Sequence, residues 1–166
     1  SNLVDEIWVA TGKSKINDQL ENILIDSSIK VMRGDDLDVL SRYVDIAKNT
    51  KANIIVRLTG DCPLIDPEII DKTVKLLIDK KVDYASNIIK RTYPDGLDVE
   101  VFTSKALFET DKNSPVGFCR EHVTTYMHGL YKNKYPRGNF KIASLEHSAD
   151  FSNLRWTLDE KKILIF

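Results

Sequence analysis

Cysteine, histidine and glycine are all scarce in this chain of 166 residues, and each scarcity closes off a class of function. The two cysteines, Cys62 and Cys119, show no ligand spacing and no disulfide framework, so the expected setting is a reducing cytoplasm. The three histidines, His122, His128 and His147, make no zinc pattern. The seven glycines form neither a Gly-x-x-x-x-Gly-Lys-Ser/Thr phosphate loop nor a Gly-x-Gly-x-x-Gly turn, and a Gly-x-Ser-x-Gly nucleophile elbow is missing. No apolar run approaches bilayer length, and no basic stretch followed by an apolar core marks a signal peptide, so no membrane partner is expected. Excess positive charge is lacking too. With 24 Lys and Arg against 25 Asp and Glu, the formal net charge is −1, which is not the footprint of a nucleic-acid binder.

What is present is an ordinary globular composition, 42% hydrophobic and 30% charged, without repeats or a linker. One domain over residues 1–166 is the expectation. Glu6-Ile-Trp-Val-Ala10 reads as a buried strand, and Ile16, Leu20, Ile23 and Leu24 recur at helical spacing. Ile29-Lys-Val-Met32 is a second strand. Asp38 is placed to cap a helix with Leu40, Tyr43, Val44 and Ala47 on its apolar face. Asn53-Ile-Ile-Val-Arg-Leu58 is nearly continuous in aliphatic residues, which predicts a parallel strand covered on both faces. Asp66-Pro67 starts a helix whose face is Ile70, Val74, Leu77 and Ile78. This βα-βα-βα order points to a doubly wound α/β fold. Further on, Asp83-Tyr-Ala-Ser86, Val99-Glu-Val-Phe102 and Phe140-Lys-Ile-Ala-Ser-Leu145 read as strands. The spacing of Val123, Tyr126, Met127 and Leu130 predicts one long helix, and Lys161 to Phe166 reads as a helix start.

Ligands of open α/β sheets bind beyond the carboxyl ends of the strands. Asp61 stands at such an end, in Thr59-Gly60-Asp61-Cys62-Pro63-Leu64. Gly60 allows close backbone approach and Pro63 stiffens the turn. One carboxylate there suits Mg²⁺ on a triphosphate, because Mg²⁺ takes one or two protein carboxylates and completes its shell with phosphate and water. A loop aspartate capping its own turn has the same sequence appearance. Asp95-Gly96-Leu97-Asp98-Val99-Glu100 sets three carboxylates about a glycine turn, with Asp98 and Glu100 on one side if a strand begins there. These carboxylates suit sugar or metal contact, or a solvated hairpin shoulder. Arg91 carries a planar fork for a carboxylate or phosphate, and His122 could serve as a base or hydroxyl donor; each is also compatible with a plain surface role. Asp159 reads as a second metal ligand or as a helix cap.

Five segments occur in one order: Val56-Arg-Leu-Thr-Gly-Asp-Cys-Pro-Leu-Ile-Asp-Pro-Glu68, Asp83-Tyr-Ala-Ser-Asn87, Arg91-Thr-Tyr-Pro-Asp-Gly-Leu-Asp-Val-Glu-Val-Phe102, Arg120-Glu-His-Val-Thr124 and Arg155-Trp-Thr-Leu-Asp159. The series closely resembles the bacterial spore coat polysaccharide biosynthesis type of cytidylyltransferase, a group related to the acylneuraminate and 3-deoxy-manno-octulosonate cytidylyltransferases. The resemblance implies a Rossmann-like αβα sandwich of the nucleotide-diphospho-sugar transferase type, with a mostly parallel mixed sheet. It also implies transfer of CMP from CTP to a sugar or sugar acid, release of pyrophosphate, dependence on Mg²⁺, and a homodimer of the kind common among the relatives. Carried onto this sequence, it makes Asp61 and Asp159 the metal ligands and Asp61, Arg91 and His122 the catalytic group. It makes Arg57, Gly60, Asp98, Glu100, Arg120 and Glu121 the substrate contacts. The family's first strand, with its glycine-containing Arg/Lys-bearing loop for CTP, has no counterpart before Leu3, so the expectation is a longer natural protein. Two other readings share the fold. A related glycosyltransferase would carry Asp-x-Asp where this chain has Gly60-Asp61-Cys62-Pro63, and a degenerate domain would keep the fold without the chemistry.

Overall fold

The computed structural model describes residues 1–25, 27 and 29–158. They divide into two compact units, each woven from separate stretches of chain. The first comprises residues 1–3, 54–103 and those from Phe140 onward, and the second residues 4–53 and 104–139.

The second unit holds the parallel pair β1 (Trp8–Gly12) and β2 (Lys30–Gly34), in register from Trp8–Lys30 to Gly12–Gly34. Between them lies α1 (Asp18–Leu24), and after them α2 (Val39–Thr50). Asp38 caps α2 as its sequence position predicts, accepting from Ser41 N at 3.0 Å. The predicted face packs inward, with Leu40, Val44 and Ala47 buried. Arg42 lies on the same helix and is buried as well, donating to the carbonyls of Ala10 and Asp36 at 3.0 and 3.1 Å. The predicted apolar face of α1 behaves differently. Ile16 and Ile23 are 85% and 75% exposed, so helical periodicity in this segment does not translate into burial.

The long helix predicted near residue 123 is also corrected. The unit contains α4 (Ser104–Asn113) and then two single turns, α5 (Phe118–Glu121) and α6 (Thr125–His128). They are separated at Val123, a fully buried β-branched residue with φ +39°. That backbone region is strained for such a side chain. Tertiary packing therefore overrides local periodicity: Val123 and Met127 reach the core while Leu130 stays half-exposed.

The first unit is a four-stranded sheet in the order β3 (Ile54–Arg57), β5 (Glu100–Thr103), β4 (Tyr84–Ser86), β6 (Ile142–Ser144). β4 and β6 run parallel, whereas β5 is antiparallel to both of its neighbours. The α/β class and the mixed sheet agree with expectation. The parallel pairing expected for Asn53–Leu58 does not occur among the described strands. β3 pairs antiparallel with β5 alone, and all four of its residues are partly exposed. An apolar run signals burial and carries no information about the direction of a neighbour. α3 (Pro67–Lys80) starts as predicted, with Pro67 in its first turn and Asp66 accepting from Glu68 N at 2.8 Å. Its Ile70, Val74 and Leu77 are buried, joined by Ile69 and Thr73 in place of the predicted Ile78, which is half-exposed. Among the described residues no helix is long and apolar enough to cross a membrane.

Candidate functional site

β3 ends at Arg57 and the chain turns at once. Cys62 N donates to Thr59 O at 3.3 Å, closing the turn that carries Gly60 and Asp61. The Thr59 hydroxyl and the Cys62 thiol share a hydrogen bond of 3.2 Å, and the thiol lies 3.6 Å from Asp61 Oδ1. Burial pushes the Cys62 thiol above its ordinary range, and the nearby carboxylates of Asp61 and Asp98 add to this against the opposing Thr59 bond. The buried thiol packs and hydrogen-bonds within the turn. Gly60 is exposed, and a Cβ placed on it would meet nothing within 4 Å, so its open side can accept a ligand's approach. Asp61 is half-buried, and its carbonyl accepts from Leu158 N at 2.7 Å.

Behind this loop a polar network crosses three strands. Arg57 on β3 faces Glu100 on β5, which faces Ser86 on β4. Glu100 is 4% exposed. One of its oxygens accepts from the Arg57 guanidinium and the other from the Tyr84 hydroxyl, the latter at 2.8 Å. Burial, and then the Glu100 charge, hold the Tyr84 hydroxyl well above its ordinary pKa. The family resemblance made both Glu100 and Asp98 substrate contacts, while the residues alone also allowed a solvated hairpin shoulder. The structure sets Glu100 inside the sheet with both oxygens engaged.

Asp98 lies before β5 and takes a bidentate grip from Arg91, at 2.7 and 2.8 Å. Arg91 also stands 3.6 Å from Asp95. The hydrogen bond to Asp98 is the main influence raising the Arg91 pKa, so this guanidinium stays charged throughout. The turn between β4 and β5 is anchored by Asn87, which is fully buried. Its Nδ2 donates to Leu97 O at 2.7 Å and its Oδ1 accepts from Val99 N at 2.9 Å. An asparagine side chain thereby replaces a peptide group and continues the ladder past the end of β4. Asp95 binds the Arg155 guanidinium, and the two residues form a parallel bridge.

Arg120, Glu121 and His122 belong to the second unit. Arg120 donates to Asp38 Oδ2 and Asp111 Oδ1, both at 2.7 Å, and to Asp111 O at 3.0 Å, bracing the start of α2 against α4. The expected sugar contact of Arg120 rests on the resemblance alone. His122 lies with its ring centroid 4.1 Å from that of Phe118, and both it and Glu121 are exposed. Asp159, expected as a metal ligand, lies outside the described residues. Arg57, Gly60, Asp61, Arg91, Asp98 and Glu100 are thus brought into one unit. Sequence reading gave no role to Tyr84, Asn87 or Arg155. All three stand in segments that carry the family resemblance, but nothing local marks the pairing of Arg155 with Asp95, 60 positions away.

Comparison with known proteins identifies the family. A family model described as cytidylyltransferase matches residues 1–147. The chain is 39% identical over 148 residues to an uncharacterised protein of Methanocaldococcus jannaschii, covering 88% of this chain and 56% of that one. It is 32% identical over 161 residues to the spore coat polysaccharide biosynthesis protein SpsF of Bacillus subtilis, covering 95% and 63%. Among solved structures, a cytidylyltransferase from Leptospira borgpetersenii superposes with a TM-score of 0.83 at 34% identity, covering 92% of this chain and 63% of that one. A CMP:2-keto-3-deoxy-manno-octonic acid synthetase complexed with CTP shares the fold, with a TM-score of 0.56 at 15% identity over 89% of this chain and 74% of that one. The chain spans 56% and 63% of the lengths of these two curated relatives. With a family match over most of its length and this strand-end loop in place, the chain belongs to the cytidylyltransferase family.

Proposed function

We propose that this chain is part of a cytoplasmic, Mg²⁺-dependent cytidylyltransferase that transfers CMP from CTP to a sugar or sugar acid for surface polysaccharide synthesis. Family membership supports the reaction class, and the printed name of the Bacillus subtilis relative supports the pathway. The observation that carries the reading is Asp61: a partly exposed carboxylate at the carboxyl end of β3, beside the open side of Gly60.

The donor set fits Mg²⁺ brought in by a nucleotide. Among the described residues no group of three or more His, Cys, Asp or Glu side chains could hold a metal unaided. Mg²⁺ needs no such cage when phosphate oxygens and water complete its shell. Asp61 would hold the ion, and the bound ion would screen the triphosphate as a Lewis acid. The rest follows from the chain's own groups. A sugar hydroxyl attacks the α-phosphorus in line, forming one O–P bond as the bond to the β-phosphate oxygen breaks. The hydroxyl proton passes to solvent water, and pyrophosphate departs with the bridging oxygen. Asp61 sets the phosphate side. Arg91, oriented by Asp98 through a partly exposed pair, can offer its charge to anionic substrate groups. Arg57, Glu100 and Tyr84 keep the end of β3 in place through their mutual hydrogen bonds. Catalysis of this kind is mostly positioning and electrostatics.

The test is Asp61→Asn in the complete protein. Turnover, read as pyrophosphate release from CTP with a panel of sugar acids, should fall by about a hundredfold or more with an unchanged circular dichroism spectrum. Mn²⁺ titrated against the protein with CTP present should bind more weakly. A variant that turns over and binds Mn²⁺ like the parent removes Asp61 from the mechanism.

A further inference from the structure

We propose that Asp95, Gly96 and Arg155 are positioning residues for Asp61, an inference that rests on reading Asp61 as the phosphate-side carboxylate. Residues 92–96 and 151–156 run side by side. Phe151 N donates to Thr92 O at 2.8 Å, Asp95 N to Leu154 O at 2.9 Å, and Trp156 N to Asp95 O at 2.6 Å. The Arg155 guanidinium crosses the same rung to the Asp95 carboxylate. Gly96 makes this closeness possible. Its φ is +104°, and a Cβ at that place would stand 2.5 Å from the carbonyl oxygen of Trp156.

Two residues beyond Trp156, Leu158 N donates to Asp61 O at 2.7 Å. Thr157, between them, is buried. The zipped segment therefore ends on the backbone of the residue that carries the candidate chemistry. The Asp95–Arg155 ion pair is well exposed on the arginine side, 45% against 31% for the aspartate, and a pair of that kind adds little to stability. What it fixes is phase. Two turn segments joined by one isolated bridge have little else to hold them in phase, and a charged rung beside a glycine that admits one close approach selects a single alignment. Register at 155 decides where the Leu158 amide falls, and the Leu158 amide anchors the peptide of Asp61. A carboxylate displaced by about an ångström loses much of its effect on a transition state. Neither Asp95 nor Arg155 needs to touch substrate to act in this way.

The experiment uses the complete protein and the single variants Asp95→Asn and Arg155→Gln, with the charge-reversed pair Asp95→Arg/Arg155→Asp beside them. Amide hydrogen exchange of Leu158 reads the anchor directly, with no metal and no turnover required. It should quicken about fivefold or more in each single variant, while the amides of Val101 and Phe102 in β5 stay as they were. Turnover should fall by about tenfold or more with Mn²⁺ binding weakened in parallel, and the reversed pair, whose position 95 lies beside Arg91, should recover the Leu158 exchange and the Mn²⁺ binding. Leu158 exchange that does not move, or that quickens with turnover and Mn²⁺ binding intact, overturns the positioning role. Failure of the functional reading shows elsewhere, in an Asp61→Asn variant that keeps full turnover.

Discussion

Two arginine–carboxylate pairs lie in one unit and do opposite work. Arg57 and Glu100 face each other across neighbouring strands, with the glutamate side chain 5% exposed and the arginine 15%. Arg91 and Asp98 sit at the turn before β5, at 31% and 25%. The chemistry is the same and the surroundings differ. Inside the sheet a buried carboxylate deprived of its partner is poorly solvated, so the pair fixes structure. At the turn either partner can be resolvated, so the pair is cheap to open and its arginine can be offered to a ligand. A functional arginine belongs where its charge can change partners.

Breaking each pair should expose that difference, most of all at Glu100. Glu100→Gln removes the buried charge that the Arg57 guanidinium meets in the sheet, and urea unfolding should show a loss of about 3 kcal/mol or more. Gly96→Ala comes next. It imposes positive φ on a residue with a Cβ and presses that Cβ onto the Trp156 carbonyl, for a loss of about 2 kcal/mol in the same measurement. Tyr84→Phe removes one buried hydrogen bond to Glu100 and should lose about 1 kcal/mol. It should also change the alkaline limb of the stability curve. The folded protein holds the Tyr84 proton more tightly than the unfolded chain does. That contribution is complete below the ordinary tyrosine pKa near 10 and is lost as pH rises above it. Thermal unfolding across that range should show the alkaline decline in the parent and a shallower one in the phenylalanine variant. Asp98→Asn is the smallest effect on stability, within about 1 kcal/mol and reduced further by salt.

The sequence announced those elements whose signals are local. Asp38 and Asp66-Pro67 are start marks that act over three residues, and both helices begin where those marks stand. The apolar run at 54–57 announced a strand, yet its antiparallel partner, fixed by residues more than forty positions away, left no local trace. Val123 and Met127 keep helical spacing, but the space they fill requires a break between α5 and α6, which no periodicity records. The site divides in the same way. Asp61, Arg91 and Asp98 were legible because glycine, proline and paired charges mark exposed turns. Glu100 was legible as a carboxylate and not as a buried one, since only Tyr84 and Arg57, brought in by other strands, make its burial tolerable.

The side chain of Asn87 has a consequence for how the protein ages. Asparagine decays in water when the nitrogen of the following residue attacks the side-chain carbonyl and ammonia is lost. In this fold that nitrogen, on Ile88, is already donating to Ser86 Oγ at 3.1 Å, and both ends of the Asn87 amide are engaged away from solvent. The bonds that let one side chain extend a sheet also shelter it from its own slow hydrolysis. The turn that carries Arg91 and Asp98 is thus mounted on an amide with a long chemical lifetime.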